Sequence, residues 1–166
     1  MKKAIIITAR INSTRLYKKI LAKINHKNLS IDILIKRAKK TNYPIIIATS
    51  SKISDIELVN YVKNKYKDVR IFRGNHDNKI KRWHSCFKKF KLDYAGFVDG
   101  DDLAFDYDIY KNQLDKLKKG KSCLIKFPKN IVTGIFTYII NKKDIFKIYQ
   151  KTKHLKKIDV FEYYLK

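Results

Sequence analysis

Four short apolar runs recur along this chain with amphipathic stretches between them: Ala4-Ile5-Ile6-Ile7, Pro44-Ile45-Ile46-Ile47-Ala48, Val69-Arg70-Ile71-Phe72 and Tyr94-Ala95-Gly96-Phe97-Val98. The first two show no alternation with polar residues, as in strands buried on both faces of a parallel sheet. The intervening stretches predict helices over 30–41, 54–66, 79–90 and 106–119. Ser30 is the expected N-cap of the first, Ser54-Asp55-Ile56-Glu57 reads as a capping box for the second, and Asp106 and Asp108 suit the start of the fourth. Regular β-α alternation with short connections predicts an α/β fold built on a doubly wound, mostly parallel sheet. A fifth strand over 122–127, a strand over 134–141 and helices over 142–150 and 159–166 are expected to complete it. At 166 residues and 45% hydrophobic content, one domain spanning 1–166 is expected.

A formal charge of +24, from 39 Lys and Arg against 15 Asp and Glu, would suit a polyanion binder. The distribution argues for compositional bias instead, because lysines are spread through every segment and outnumber arginines. With no aromatic-basic pattern, finger spacing or separate basic tail, no specific nucleic-acid partner is expected. No run of about 18 apolar residues suggests membrane insertion, and the short apolar stretch after Met1-Lys2-Lys3 lacks a signal peptide's h-region, so a cytoplasmic location is expected. Cys86 and Cys123 lie far apart without ligand-spaced neighbours, which favours buried free thiols over a disulfide or zinc site.

Two polar constellations fall at expected strand ends, where open α/β sheets bind ligands. After the first strand comes Thr8-Ala9-Arg10-Ile11-Asn12-Ser13-Thr14-Arg15-Leu16, followed by Lys18 and Lys19. Two guanidinium forks, small hydroxyls and movable ammonium groups make a phosphate grip, the alternative being an ordinary basic loop. After the fourth strand comes Asp99-Gly100-Asp101-Asp102. Three carboxylates so close repel one another unless a cation compensates, and oxygen-only ligands suit Mg²⁺ or Mn²⁺; the alternative is an acidic turn paired with surplus lysines.

The run Ile5-Ile6-Ile7-Thr8-Ala9-Arg10 through Ser13-Thr14-Arg15-Leu16, with Lys19 and Leu21 following, resembles the signature of the cytidylyltransferase family. That family includes acylneuraminate cytidylyltransferase and the spore-coat polysaccharide biosynthesis protein F group. Lys27 with Leu29, Ile47-Ala48-Thr49-Ser50, Ile71-Phe72-Arg73-Gly74, Asp77, Arg82 and Gly100-Asp101 agree in order. The resemblance implies a Rossmann-like sheet of the nucleotide-diphospho-sugar transferase type. It also implies Mg²⁺-dependent transfer of CMP from CTP to the hydroxyl of a sugar, expected to be an acidic one, with pyrophosphate leaving, for surface glycan synthesis. Arg10, Arg15 and Lys19 would then act on the triphosphate, with Ala9, Asn12, Ser13 and Thr14 around it. Ala48, Thr49, Ser50, Arg73 and Asp77 would lie near the base and ribose, and Asp101 with Asp99 would hold the metal. The implied partners are nucleotide and sugar, with a homodimer by resemblance alone.

The chain departs from the family pattern in places. Asn12 stands where a glycine is usual, Tyr17-Lys18 where Pro-Gly is common, and Asp102-Leu103-Ala104 follows Gly-Asp in place of Cys-Pro-Leu. Thr133-Gly134-Ile135-Phe136-Thr137-Tyr138 carries no late acid, and the C-terminal part is expected to be short for the family. Two other readings follow: a GT-A-type glycosyltransferase using Asp99-Gly100-Asp101 as its metal motif, and a non-catalytic relative that binds nucleotide or polyanion. His26, His76, His84 and His154 read as surface residues, with His76 beside Asp77 the one near the expected nucleotide. Trp83 reads as packing against the sheet, with stacking on a base as the alternative.

Overall fold

The computed structural model describes residues 1–12, 16–117, 134–136 and 138–158. A five-stranded sheet has the order β5-β4-β1-β6-β7, from β1 (Lys3–Thr8), β4 (Ile45–Ser50), β5 (Arg70–Gly74), β6 (Tyr94–Asp99) and β7 (Tyr138–Asn141). β1 pairs in parallel with β4 and β6, and β4 with β5; β7 runs antiparallel to β6. The mostly parallel doubly wound α/β sheet is therefore present. A small hairpin, β2 (Lys23–Asn25) with β3 (Asn28–Leu29), turns on Asn25, whose side chain accepts from the N–H groups of Lys27 and Asn28.

Alternation of side chains along β1 explains its unbroken apolar run. Ile5 and Ile7 enter one core with residues of α1 (Ser30–Lys39), α2 (Ile56–Lys65) and α4 (Tyr107–Lys116). Ala4 and Ile6 face the opposite way, into a core closed by α3 (Lys79–Phe90) and α5 (Lys142–Thr152). Both faces are covered, so polar positions would have nowhere to point. Trp83 belongs to the second core: it is fully buried, lies 4.0 Å from Phe97 between ring centroids, and donates its indole N–H to Thr8 Oγ1 at 2.9 Å. That bond ties α3 to the carboxyl end of β1.

Several local expectations need correction. Ser30 is the first helical residue of α1 and its hydroxyl turns back to the Ala22 carbonyl, while the Asp32 carboxylate accepts from the Leu29 N–H. The Ser54/Glu57 capping box does not form. Asp55 precedes α2 with its carboxylate committed to Ile11 and Ser50, and Glu57 pairs with Lys18 at 2.6 Å. The strand expected over 134–141 spans Tyr138–Asn141, after a turn in which Gly134 has φ 92°. Asp106 does cap α4, accepting from Asp108 and Ile109. The strand expected over 122–127 and the helix over 159–166 lie outside the described residues. Among the described residues no helix is long and apolar enough to cross a membrane.

Candidate active site

The chain runs outward from β1 through β4 to β5 and then crosses back to β6 on the other side of β1, so the strand order reverses between β1 and β6, where open α/β sheets hold ligands beyond their carboxyl ends. A cleft of about 520 Å³ lies there, lined by Thr8, Ala9 and Arg10 from β1, by Asp99, Gly100 and Asp101 from β6, and by Lys79 and Arg82 from α3. Asn12, Tyr17, Lys19, His76, Asp77 and Lys157 complete much of its wall. Gly100 permits the close approach of the two loops: a Cβ there would stand 3.1 Å from the Thr8 carbonyl oxygen.

Each of the two candidate metal carboxylates faces a lysine. Lys19 Nζ reaches Asp101 Oδ2 at 2.6 Å, and Lys79 Nζ lies 2.7 Å from both oxygens of Asp99. Asp102 stands behind them. Burial, then the Asp99 charge, push its carboxyl up to about 7, while a bond from the Asp99 N–H and the Lys79 charge pull the other way. The turn at Gly134 closes on Asp102, where a Cβ would meet its Oδ1 at 2.7 Å. Among the described residues no group of three or more His, Cys, Asp or Glu side chains is placed to hold a metal ion. Two carboxylate oxygens at a strand end do suit a Mg²⁺ that keeps waters and takes its other ligands from phosphate.

The opposite wall is held by the start of α3. Asn78 caps the helix, accepting from Lys81 N–H, and Asn75 accepts from the N–H groups of Asp77 and Asn78. The segment around Ile158 docks here: Lys79 N–H donates to the Ile158 carbonyl and Ile158 N–H to the Asp77 carbonyl, both at 2.9 Å. This delivers Lys157 to the cleft. Arg10 donates to the His76 carbonyl at 2.8 Å, and the buried Arg82 donates to the Asn75 and His76 carbonyls. Burial, then the charges of Lys52 and Arg10, hold the His76 imidazole below its usual range, against the opposing charges of Asp77 and Asp55.

The structure thus brings together Ala9, Arg10, Asn12, Lys19, Asp77, Asp99 and Asp101 of the residues expected from sequence. Ser13, Thr14 and Arg15 lie outside the described residues. Ala48, Thr49 and Ser50 do not line the cleft: their side chains are fully buried, and Ser50 is hydrogen-bonded to Asp55. Arg73 does not line it either, because its guanidinium folds onto the carbonyls of Ser50, Ser51 and Lys52. Lys79, Tyr17 and Lys157 were not singled out in sequence. Lys79 left a trace, since a lysine four residues before Trp83 falls on the apolar stripe of its helix, where a charge needs a reason.

Residues 4–161 match a family model described as Cytidylyltransferase. No curated protein matches the chain in sequence. A solved cytidylyltransferase from Leptospira borgpetersenii serovar Hardjo-bovis (strain JB197) aligns with TM-score 0.82 at 22% identity, covering 98% of this chain and 67% of that one. CMP:2-keto-3-deoxy-manno-octonic acid synthetase complexed with CTP aligns with TM-score 0.61 at 16% identity, covering 91% of this chain and 78% of the other. 4-Diphosphocytidyl-2C-methyl-D-erythritol synthase from Anaerococcus prevotii aligns with TM-score 0.63 at 13% identity, over 98% and 80%. At such identities these structures show a shared fold.

Proposed function

The chain belongs to the cytidylyltransferase family, a family of nucleotidyltransferase enzymes, and on that premise we propose that it transfers CMP from CTP to the hydroxyl of an acidic sugar. The observation that carries this reading is the cleft between β1 and β6, which Arg10, Lys19, Asp99 and Asp101 line together. Cationic side chains outnumber carboxylates along its lining, which suits a triphosphate and an acceptor that is itself an anion.

In this reading the triphosphate lies over the β1 loop, neutralised by Arg10, Lys19 and Arg15, with Ala9, Asn12, Ser13 and Thr14 around it. Arg10 is already oriented by its bond to the His76 carbonyl, so little reorganisation accompanies binding. Asp77 stands at the rim where ribose hydroxyls would arrive. Asp101 and Asp99 would hold Mg²⁺, which when bound supplies charge neutralisation on the phosphates. The acceptor hydroxyl attacks the α-phosphorus in line, its O–P bond forms as the bond to pyrophosphate breaks, and the hydroxyl proton leaves to solvent. The residues act by positioning and charge, which suffices for nucleotidyl transfer. Surface glycan synthesis in the cytoplasm and a homodimer belong to the same reading.

The test is pyrophosphate release by the purified protein with CTP, UTP, GTP or ATP, each against a panel of acidic and neutral sugars with Mg²⁺. Release confined to CTP with an acidic sugar is the expected result. Release of nucleoside diphosphate from a sugar nucleotide would replace the reading with a glycosyltransferase, and equal binding of CTP, ATP and heparin without turnover would replace it with a polyanion binder.

A further inference from the structure

The two lysine–carboxylate pairs of the cleft are built differently. Lys19 meets one oxygen of Asp101, and the two side chains are 26% and 47% exposed. Lys79 straddles both oxygens of Asp99 at 2.7 Å and is only 11% exposed. Its ammonium also sits 5.0 Å from the centre of the Trp83 ring, a cation–π seat on a residue that is itself fully buried and tethered to Thr8. Lys79 opens α3, and its backbone N–H is fixed by the Ile158 carbonyl. A long side chain has been given an aromatic platform and a chelating partner, so little of its freedom remains to be lost.

We propose that Lys79 is a positioning residue that reserves Asp99. Its ammonium keeps a divalent cation off that carboxylate until a polyphosphate draws the ammonium away, so that metal and nucleotide bind together. Both Asp99 oxygens are engaged in the free protein, and a cation approaching them meets a fixed positive charge at contact distance. Asp101 alone gives a poor site for an ion that takes six or more oxygens. An arriving triphosphate changes both terms: its oxygens offer the ammonium a charge-assisted partner, and they supply ligands to the metal beside the freed Asp99. By linkage, whatever polyphosphate does for metal affinity the metal does for polyphosphate.

The inference rests on the polyphosphate-binding part of the reading above, and its first arm contains no nucleotide, so the two can fail separately. Binding of Mn²⁺ is measured by electron paramagnetic resonance of the free ion for the wild type, K79M, K79R and K79M/D99N. Each is measured alone and with tripolyphosphate, after subtracting the ion held by tripolyphosphate itself. K79M alone is expected to bind Mn²⁺ about tenfold more tightly than the wild type, within the usual range of coupling between sites. K79R should stay near the wild type, and K79M/D99N should lose the gain. Tripolyphosphate should tighten Mn²⁺ binding more in the wild type than in K79M. Damage to the fold lowers metal affinity, so a gain cannot arise from it. Equal Mn²⁺ affinity in K79M and wild type, or a gain that survives in K79M/D99N, overturns the proposal even if CTP is the substrate.

Discussion

The carboxyl ends of β1 and β6 and those of β4 and β5 carry similar residues to opposite ends. At β1 and β6 arginine, lysine and aspartate side chains line an open cleft. At β4 and β5 Thr49, Ser50 and Arg73 are drawn into a closed knot: Asp55 takes hydrogen bonds from Ile11 N–H, Ser50 N–H and the Ser50 hydroxyl, and Arg73 caps the carbonyls of Ser50, Ser51 and Lys52. Residue type does not separate the two regions. Topology does, because the strand order reverses between β1 and β6, whereas β4 and β5 follow one another outward from β1.

Substitutions should split along that line. D101N, in the open region, is expected to lower pyrophosphate release by a factor of about 10²–10³, on the scale of losing a preorganised charge partner, with the melting temperature unchanged; a loss below tenfold would remove Asp101 from the site. D55A, in the closed knot, should lower unfolding free energy by about 3 kcal/mol in urea titrations, because it strips three partners from a buried carboxylate site. The folded fraction should still bind polyphosphate.

Asp32, under the sheet on α1, gives a pH-dependent check remote from both regions. Burial pushes its carboxyl up, but bonds from Tyr66, the Leu29 N–H, Tyr61 and Lys65 outweigh that and hold it below its usual range. A depressed folded-state value contributes stability that is present above the unfolded pKa and lost as pH falls through the folded one. Urea midpoints of the wild type should therefore drop on acidification below about pH 4, the ordinary aspartate range. D32N should show a shallower drop from a lower starting point, with turnover at pH 7 unaltered. The smallest effect is expected for R73A, whose turnover should remain within about twofold while stability falls by roughly 0.5–1 kcal/mol, as for exposed hydrogen bonds. A tenfold fall in turnover would erase the division between open and closed ends.

Much of this was legible in the chain. Unbroken runs such as Ile5-Ile6-Ile7 and Ile45-Ile46-Ile47 gave away strands covered on both faces, and the alternation gave the sheet. Arg10, Lys19, Asp99 and Asp101 were legible as cleft residues because strand ends bind ligands. What failed was local competition for hydrogen bonds. Ser54 and Glu57 have capping-box spacing, yet Asp55 between them found better partners across the sheet, and Glu57 found Lys18. Spacing cannot reveal a partner 44 residues away, such as Ile11 for Asp55. The antiparallel β7 was equally hidden, since an apolar run does not state its direction. Lys79 was overlooked because a lysine at a helix start is ordinary until its aromatic neighbour and its carboxylate are seen together.

The start of α2 has a consequence for how such a protein changes over time. Asp55 fixes Ile11, Glu57 fixes Lys18, and Lys18 N–H closes onto the Ile11 carbonyl at 3.0 Å. Ile11 and Lys18, the posts on either side of residues 12–17, are thus each clamped to the start of α2 and joined to one another. Joining the ends removes most of the closure entropy that a loop of this length carries. With the posts held in this way, a change of residue between them, such as Asn12 or Tyr17 against the family pattern, need not be answered by a change in the sheet beneath.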